Sequence, residues 1–300
     1  MYILSEKSLE KDRFLSCLTP RLNHTMKDVP KENLLEIRIR KKKPVMLKYL
    51  KDTCYLKKEG GICKDLNDAY IIDGYEIASL AESIFESSLY AHEEEIAEGF
   101  VTIKGGHRIG LCGEARKGEI RALSDITSMN FRIAHEHIGI AEPIIPHILE
   151  NGNIKNTLII SPPMSGKTSL LRDIARLLSE NGTKVSLCDT RGEIAAVYDG
   201  EACMDIGFSD VLSGINKADG MKMLLRTMSP DVIISDELGT KEDIGAVMEI
   251  LGSGSKIIAS VHKESREMLY KSPVFGEILP YIDLIITLGG IGEIREVYHV

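Results

Sequence analysis

A short apolar run, a loop of turn-forming residues and an amphipathic helical pattern follow one another at residues 157–178. The run 157–160 is apolar and β-rich, and the segment after it reads Ser161, Pro162, Pro163, Met164, Ser165, Gly166, Lys167, Thr168 and Ser169. Apolar residues then recur at three- and four-residue spacing, which is typical of a helix that buries one face. The order predicts a buried strand, a tight loop and a helix whose N-terminus lies beside the end of the strand.

The loop resembles the phosphate-binding P-loop, in which glycine, lysine and threonine open a helix directly after a strand. Unpaired N–H groups and the helix dipole favour negative charge at such a helix start. We therefore predict that residues 161–169 bind the phosphates of ATP, that Lys167 contacts the β- and γ-phosphates, and that Thr168 ligates Mg²⁺. Ser161 stands where the pattern has its first glycine, while Gly166, which lets the backbone approach the phosphates, is retained.

Two adjacent carboxylates end another apolar run, at residues 231–237. This arrangement is typical of a Walker B strand. We predict that Asp236 holds Mg²⁺ through water and that Glu237, on the opposite face of the strand, polarises the attacking water. The alternative is an acidic strand end that only faces solvent, and the P-loop upstream favours the catalytic interpretation.

Further polar residues follow two more predicted strands. His262 ends the run 257–262 and suits a sensor of the γ-phosphate, although a single histidine at a strand end also fits a structural role. Asp189 and Glu193 follow the run 185–188, and Glu193 is the reserve candidate for the catalytic base. Because ligands of open parallel sheets lie outside the carboxyl ends of the strands, these groups are expected to converge. Arg226, on the helix before residue 231, fits either a phosphate or subunit contact or a solvated surface position.

The pattern along the chain changes near residues 150–156, which are turn formers. Before them, a strand near 35–39, a helix over 75–89 and a hairpin around 105–107 indicate a smaller mixed α+β domain, residues 1–150. After them, strands and helices alternate and a terminal hairpin closes the chain, which predicts an α/β domain, residues 151–300. The predicted fold is a RecA/AAA-like P-loop NTPase core with a mainly parallel sheet.

Charge and composition restrict the classes of function. The net charge of -8 over 300 residues argues against a protein that coats nucleic acid, although residues 38–43 form a basic run that also fits a strand ending at a turn. The six cysteines lack metal-binding spacing and indicate reduced thiols in the cytoplasm. Neither a signal peptide nor a transmembrane segment is expected. Two alternatives stay open: a RecA-like nucleic-acid motor, and a scaffold that binds ATP without hydrolysing it.

Several sequence blocks extend well beyond the P-loop, at residues 36–40, 88–91, 99–102, 105–110, 130–134, 162–168, 188–195, 210–212, 217–220, 226–231 and 236–239. Together they closely resemble the stage III sporulation protein AA family of endospore-forming bacteria. The resemblance implies a cytoplasmic mother-cell ATPase, similar to the hexameric motors of type II and type IV secretion systems. Its implied partners are further copies of itself in a ring and the proteins of the membrane channel between mother cell and forespore, where it would lie peripherally.

The same resemblance implies that the N-terminal domain packs against the ATPase core of a neighbouring subunit. Arg108 or Arg132 would then reach that neighbour's phosphates, and Arg226 is a third candidate. The family usually has glycine at position 161 and an acidic residue at position 190. This chain departs from the family at both positions, with Ser161 and Thr190.

Overall fold

The computed structural model describes residues 13–86, 99–115, 123–162 and 165–300. They divide into two units, the first ending at His135 and the second beginning at Glu136. The division falls earlier than the predicted boundary between residues 150 and 151. The physical reason is that Ala141, Ile144 and Ile148 are buried in a core of the second unit.

The first unit contains two α-helices, one 3-10 helix (Arg13–Cys17) and one seven-stranded sheet in its described part. The α-helices are α1 (Pro20–Met26) and α2 (Gly74–Glu86). The strands are β1 (Leu34–Arg40), β2 (Met46–Tyr49), β3 (Thr53–Leu56), β4 (Ile62–Cys63), β5 (Phe100–Ile103), β6 (His107–Ala115) and β7 (Leu123–Arg132). Their order in the sheet is β4-β3-β2-β1-β7-β6-β5. Each neighbouring pair is antiparallel, as expected for a small mixed α+β domain.

Burial in this unit follows the periodicity of the sequence. In β1 the buried Ile37 and Ile39 alternate with the more exposed Arg38 and Arg40, because successive side chains of a strand point to opposite faces. Helix α2 buries residues spaced three and four apart against the same core, namely Ile77, Leu80, Ala81 and Ile84. The predicted helix over 75–89 is thus confirmed as far as Glu86, and residues 87–89 lie outside the described residues.

The predicted hairpin around residues 105–107 is confirmed. Strands β5 and β6 pair with Ile103 opposite His107. The turn residues Gly105 and Gly106 have φ of 96° and 72°, a left-handed conformation that glycine adopts without steric cost.

The second unit is built on a second seven-stranded sheet. Its helices are α3 (Ile145–Ile148), α4 (Lys167–Glu180), α5 (Lys217–Met228), α6 (Lys241–Ser253) and α7 (Arg266–Tyr270). The sheet strands are β10 (Thr157–Ser161), β11 (Val185–Asp189), β14 (Asp210–Ser213), β15 (Val232–Leu238), β16 (Lys256–His262), β17 (Leu284–Gly290) and β18 (Glu293–His299). Two short hairpins lie outside this sheet: β8 (Leu149–Glu150) with β9 (Asn153–Ile154), and β12 (Val197–Tyr198) with β13 (Glu201–Ala202).

The order β14-β11-β15-β16-β10-β17-β18 is parallel except for the terminal β17–β18 pair. The mainly parallel sheet and the terminal hairpin are therefore as predicted. Strand β14 was not predicted, because it is a short edge strand whose residues are only partly buried. Among the helices of the described ranges, none has both the length and the apolar composition to cross a bilayer.

Two apolar cores cover the two faces of this sheet. In β10, Ile159 packs in a core with residues of α4, whereas Leu158 and Ile160 pack in a core with residues of α5 and α6. Buried residues on both sides of a parallel strand explain why the strand sequences read as continuous apolar runs. The helices cover the two faces of the sheet, and the carboxyl ends of its parallel strands lie together along one edge.

Candidate functional site

The loop from β10 to α4 brings the predicted phosphate-binding residues to this edge. Ser161 ends β10 and is fully buried, and Gly166 is the N-cap of α4 with φ of 83°. A Cβ atom at Gly166 would lie 3.0 Å from the Cα atom of Ile291. Glycine is therefore needed at 166 both for the left-handed backbone and for the close approach of the β17–β18 turn. Pro163 and Met164 lie outside the described residues.

The Lys167 amine is held over the beginning of this loop. Its Nζ atom donates hydrogen bonds to the carbonyl oxygens of Ser161 and Pro162, both at 3.1 Å, and to Ser161 Oγ at 3.2 Å. Burial lowers the pKa of this amine below its ordinary value, and the charge of Glu237 raises it in part. A lysine at this place presents a positive charge to any phosphate bound by the loop.

Ser161 contributes its own contacts, although the P-loop pattern has glycine there. Its hydroxyl accepts from Lys167 and donates to the carbonyl oxygen of Pro162 at 2.9 Å. Ser165 Oγ donates to the same carbonyl oxygen at 3.0 Å. The serine side chain is thus accommodated as part of the hydrogen bonding that orients Lys167.

Thr168 and Ser169 lie in the first turn of α4 and are half-buried. The first intrahelical bond runs from the Leu170 N–H to the Gly166 carbonyl oxygen at 2.9 Å. The N–H groups that precede Leu170 have no acceptor within the helix, as at every helix start. Since Gly166 has no side chain to cap them, they suit an anionic ligand.

The two predicted Walker B carboxylates lie near the end of β15. Asp236 is buried and forms an ion pair with Lys217, with 2.7 Å between Nζ and Oδ1. Lys217 Nζ also donates a hydrogen bond to the Glu237 carbonyl oxygen. Burial raises the pKa of the Asp236 carboxyl above its ordinary value, and the charge of Lys217 lowers it in part. Glu237 is less buried than Asp236, which agrees with alternation along the strand.

The sheet register brings the ends of three strands side by side. Ser161 of β10 is paired with His262 of β16, and Val261 is paired with Leu238 of β15. The β15–β16 register shifts between Ser235 and Leu238, at the position of the two carboxylates. Lys167 lies close enough to Glu237 for the carboxylate to influence its pKa. The exposed His262 lies at the same edge, next to the loop.

Asp189 ends β11, and Glu193 lies in the loop that follows it. The Asp189 carboxylate is fully buried and accepts three backbone N–H groups, from Glu193 at 2.9 Å, Ile194 at 3.0 Å and Ala195 at 2.9 Å. Asp189 therefore anchors its own loop. The Glu193 side chain is exposed, and its role as reserve base stays a prediction.

Arg172 of α4 completes this anchor and was not identified from the sequence. The buried guanidinium donates from Nε to the Ile194 carbonyl oxygen at 2.5 Å and from Nη2 to the Glu193 carbonyl oxygen at 2.7 Å. It ties the P-loop helix to the loop after β11. The available signal was a charged residue within the apolar periodicity of α4.

The three candidate trans arginines are divided between the two units. Arg226 is exposed on α5. In the first unit Arg108 and Arg132 are partners across β6 and β7, and the Arg108 guanidinium lies 4.6 Å from the centre of the Phe100 ring. A role for any of them at a neighbouring subunit stays a prediction.

Lys217 is the main site residue that the sequence did not reveal. It belongs to one of the blocks that carry the family resemblance. Its place in the sequence, before a helical pattern, did not indicate what the side chain contacts. Only the folded chain brings it to the Asp236 carboxylate. Asn216, whose side chain accepts from the Ala218 N–H at 3.1 Å, caps the helix and fixes the place of Lys217.

Lys217→Met is expected to lower the free energy of unfolding by about 3 kcal/mol, because breaking one partner of a buried ion pair leaves an uncompensated charge. Lys222→Met on the same helix is the matched control. Lys222 pairs with Glu249 at 2.6 Å on the surface and should contribute less than about 1 kcal/mol. Urea unfolding followed by circular dichroism measures both. An equally small loss in both variants would contradict a supporting role of Lys217.

Comparisons with known structures agree with the fold of this chain. The X-ray structure of the Legionella pneumophila ATPase DotB aligns with a TM-score of 0.55 and 19% identity, covering 85% of this chain and 72% of that one. The crystal structure of the pilus retraction motor PilT with bound ADP aligns with a TM-score of 0.59 and 16% identity, covering 88% and 77%. The chain thus has the RecA-like P-loop fold of these two proteins.

Sequence comparison gives the particular family. The family described as sporulation stage III, protein AA, matches residues 6–299. The stage III sporulation protein AA of Bacillus subtilis (strain 168) is 39% identical over 267 residues, which cover 85% of this chain and 83% of that protein. The chain belongs to the stage III sporulation protein AA family.

Proposed function

We propose that this chain hydrolyses ATP to ADP and phosphate at the edge formed by β10, β15 and β16. The observation that carries the proposal is the Lys167 amine, which is held over the beginning of the loop between β10 and α4, at the sheet edge where β15 carries Glu237. A lysine beside a helix start binds the β- and γ-phosphates, and a nearby carboxylate can orient the attacking water.

Each residue of the site has a task in this proposal. The first-turn N–H groups of α4 and the Lys167 amine bind the triphosphate and offset its charge. Glu237 accepts a proton from the attacking water, and His262 contacts the γ-phosphate or that water. Lys217 keeps the segment that contains Asp236 and Glu237 in place through its ion pair and its hydrogen bond to the Glu237 carbonyl oxygen.

The donor set also fits Mg²⁺, a hard cation that prefers oxygen ligands and keeps several waters. Thr168 and Asp236 are the residues that would hold it, directly and through water. The half-buried hydroxyl and the buried carboxylate supply one neutral and one charged oxygen. When bound, the ion neutralises the charge that develops on the β- and γ-phosphates during transfer.

We further propose that the chain works as a motor of the secretion-ATPase type. It would assemble as a homo-hexameric ring in the mother-cell cytoplasm and associate peripherally with the membrane channel to the forespore, which it would energise or assemble. Membership of a sporulation family supports the biological setting. The likeness to DotB, described as an ATPase, and to PilT, described as a motor, supports the type of machine.

Phosphate release by the purified full-length chain tests the proposal. If an arginine from a neighbouring subunit completes the site, phosphate released per chain should rise with protein concentration, in parallel with assembly measured by analytical ultracentrifugation. A chain that binds a fluorescent ATP analogue but releases no phosphate at any concentration would instead be a nucleotide-gated scaffold. The Lys167→Ala variant sets the background of contaminating hydrolysis.

A further inference from the structure

A cluster of basic side chains lies in the first unit, separate from the residues of the candidate ATP site. It is the turn after β1 that consists of Arg40, Lys41, Lys42 and Lys43, here called the basic turn. Its three lysine residues are exposed. Four consecutive cations are notable in a chain whose net charge is -8, because the overall composition does not account for them. The four residues line an open cleft together with the hydroxyl residues Thr127 and Ser128.

Backbone hydrogen bonds fix the basic turn, and its three exposed lysine side chains therefore extend from an ordered backbone. The Lys41 N–H donates to the Thr127 carbonyl oxygen and the Lys42 N–H to the Ile72 carbonyl oxygen, both at 2.9 Å. The Lys43 N–H donates to the Arg40 carbonyl oxygen at 3.0 Å. Lys42 has φ of 58°, a left-handed conformation that closes the turn.

Two exposed apolar side chains flank the basic turn. Ile71 is 52% exposed and forms a β-bridge with Pro44, the residue that follows the turn. Tyr75 is 86% exposed and follows Gly74, where a Cβ atom would lie 2.8 Å from Lys41 Cε. The basic turn, Ile71 and Tyr75 are therefore neighbours, and together they are here called the docking patch.

The described segment between the two apolar residues, 72–74, contains one carboxylate, that of Asp73. Asp73 Oδ1 accepts the N–H groups of Tyr75 at 2.9 Å and Glu76 at 2.8 Å. The carboxylate is thus engaged with the start of α2. The four cations of the basic turn outnumber it, and the patch keeps a positive charge.

We propose that the docking patch binds the surface of a bilayer that contains anionic phospholipids. Lysine and arginine attract acidic headgroups, and their long aliphatic stems tolerate the interface. A tyrosine ring suits the headgroup level, and an exposed isoleucine gains by entering the acyl boundary. Nucleic acid would also attract the cations, but it gives no reason for an exposed isoleucine beside them. The proposal does not depend on ATP hydrolysis.

Co-sedimentation of the full-length chain with vesicles tests this docking. We expect binding to mixed phosphatidylcholine and phosphatidylglycerol vesicles but little binding to phosphatidylcholine alone. The variant Lys41→Gln/Lys42→Gln/Lys43→Gln should bind the anionic vesicles about tenfold or more weakly. Ile71→Ser/Tyr75→Ser should weaken binding about fivefold or more, because it removes the apolar part of the contact.

The control is Lys27→Gln/Lys48→Gln/Lys51→Gln, which removes three charges from exposed positions elsewhere in the same unit. It should retain vesicle binding, and circular dichroism should show every variant folded. Equal losses in the control and the basic-turn variant, or equal binding to neutral and anionic vesicles, would overturn the proposal. So would tighter binding of a fluorescent single-stranded oligonucleotide than of anionic vesicles, lost in the basic-turn variant, which would assign the patch to nucleic acid.

Discussion

Lys167→Ala is expected to weaken ATP binding by about a hundredfold or more, since each charge-assisted hydrogen bond contributes about 1.5–3 kcal/mol and the amine can make more than one. The amine is already held at the loop by Ser161 and Pro162, so its removal takes away a preorganised charge. Equilibrium titration with a fluorescent ATP analogue in the presence of Mg²⁺ measures the effect.

The control for this variant is Lys271→Ala, which removes an exposed lysine at the end of α7 in the same unit. It should bind the analogue with the affinity of the unchanged chain. If Lys167→Ala binds equally well while remaining folded, the loop between β10 and α4 is not the nucleotide site.

Glu237→Gln is expected to keep ATP bound and to lower the rate of hydrolysis about a thousandfold, the range in which a positioned general base contributes. Glutamine has nearly the same shape but cannot accept the proton. The substitution leaves the backbone carbonyl that receives the Lys217 hydrogen bond unchanged. Single-turnover phosphate release, measured beside analogue binding, separates a loss of chemistry from a loss of affinity.

Glu193→Gln is the matched control, because Glu193 is the other carboxylate considered as the base. The anchoring of its loop uses backbone groups, namely its N–H to Asp189 and its carbonyl oxygen to Arg172. We expect Glu193→Gln to hydrolyse ATP at nearly the unchanged rate. Normal hydrolysis by Glu237→Gln together with a loss in Glu193→Gln would transfer the base to Glu193.

The sheet of the second unit could be predicted because each of its longer strands has a pattern that is visible within a short segment of sequence. Strands buried on both faces read as continuous apolar runs, and the Gly166-Lys167-Thr168 sequence requires a strand before it and a helix after it. The polar residues at the strand ends marked the edge of the sheet that carries the site. The short edge strand β14 gave no such signal, because its residues are partly exposed.

The contacts that support the site could not be predicted, because they join residues far apart in the chain. Lys217 and Asp236 come together only through the packing of α5 on the sheet, and Arg172 meets the loop after β11 only when α4 covers it. In the sequence, Asp189 at the end of a strand fitted a contact with the ligand as well as it fitted a structural contact. Its three hydrogen bonds to nearby N–H groups became visible only in the folded loop.

The start of the second unit, at Glu136, could not be predicted either, because it depends on tertiary packing. Turn formers near residues 150–156 gave a plausible boundary, and the short hairpin β8–β9 does occupy that region. Packing nevertheless includes the preceding segment in the second unit, where the Ala141 N–H donates to Asp173 Oδ2 of α4 at 2.8 Å. The turn formers at residues 150–156 therefore mark a turn within the second unit and not its boundary.

The most direct test of the site is an experimental structure of the Glu237→Gln chain with ATP and Mg²⁺. We expect a single triphosphate whose β- and γ-oxygens contact the Lys167 amine, with the metal ion held by the Thr168 hydroxyl and, through water, by Asp236. The substituted side chain at position 237 would then lie beside the γ-phosphate, in the place of the base. Nucleotide bound elsewhere, or these four side chains spread apart with no cavity between them, would contradict it.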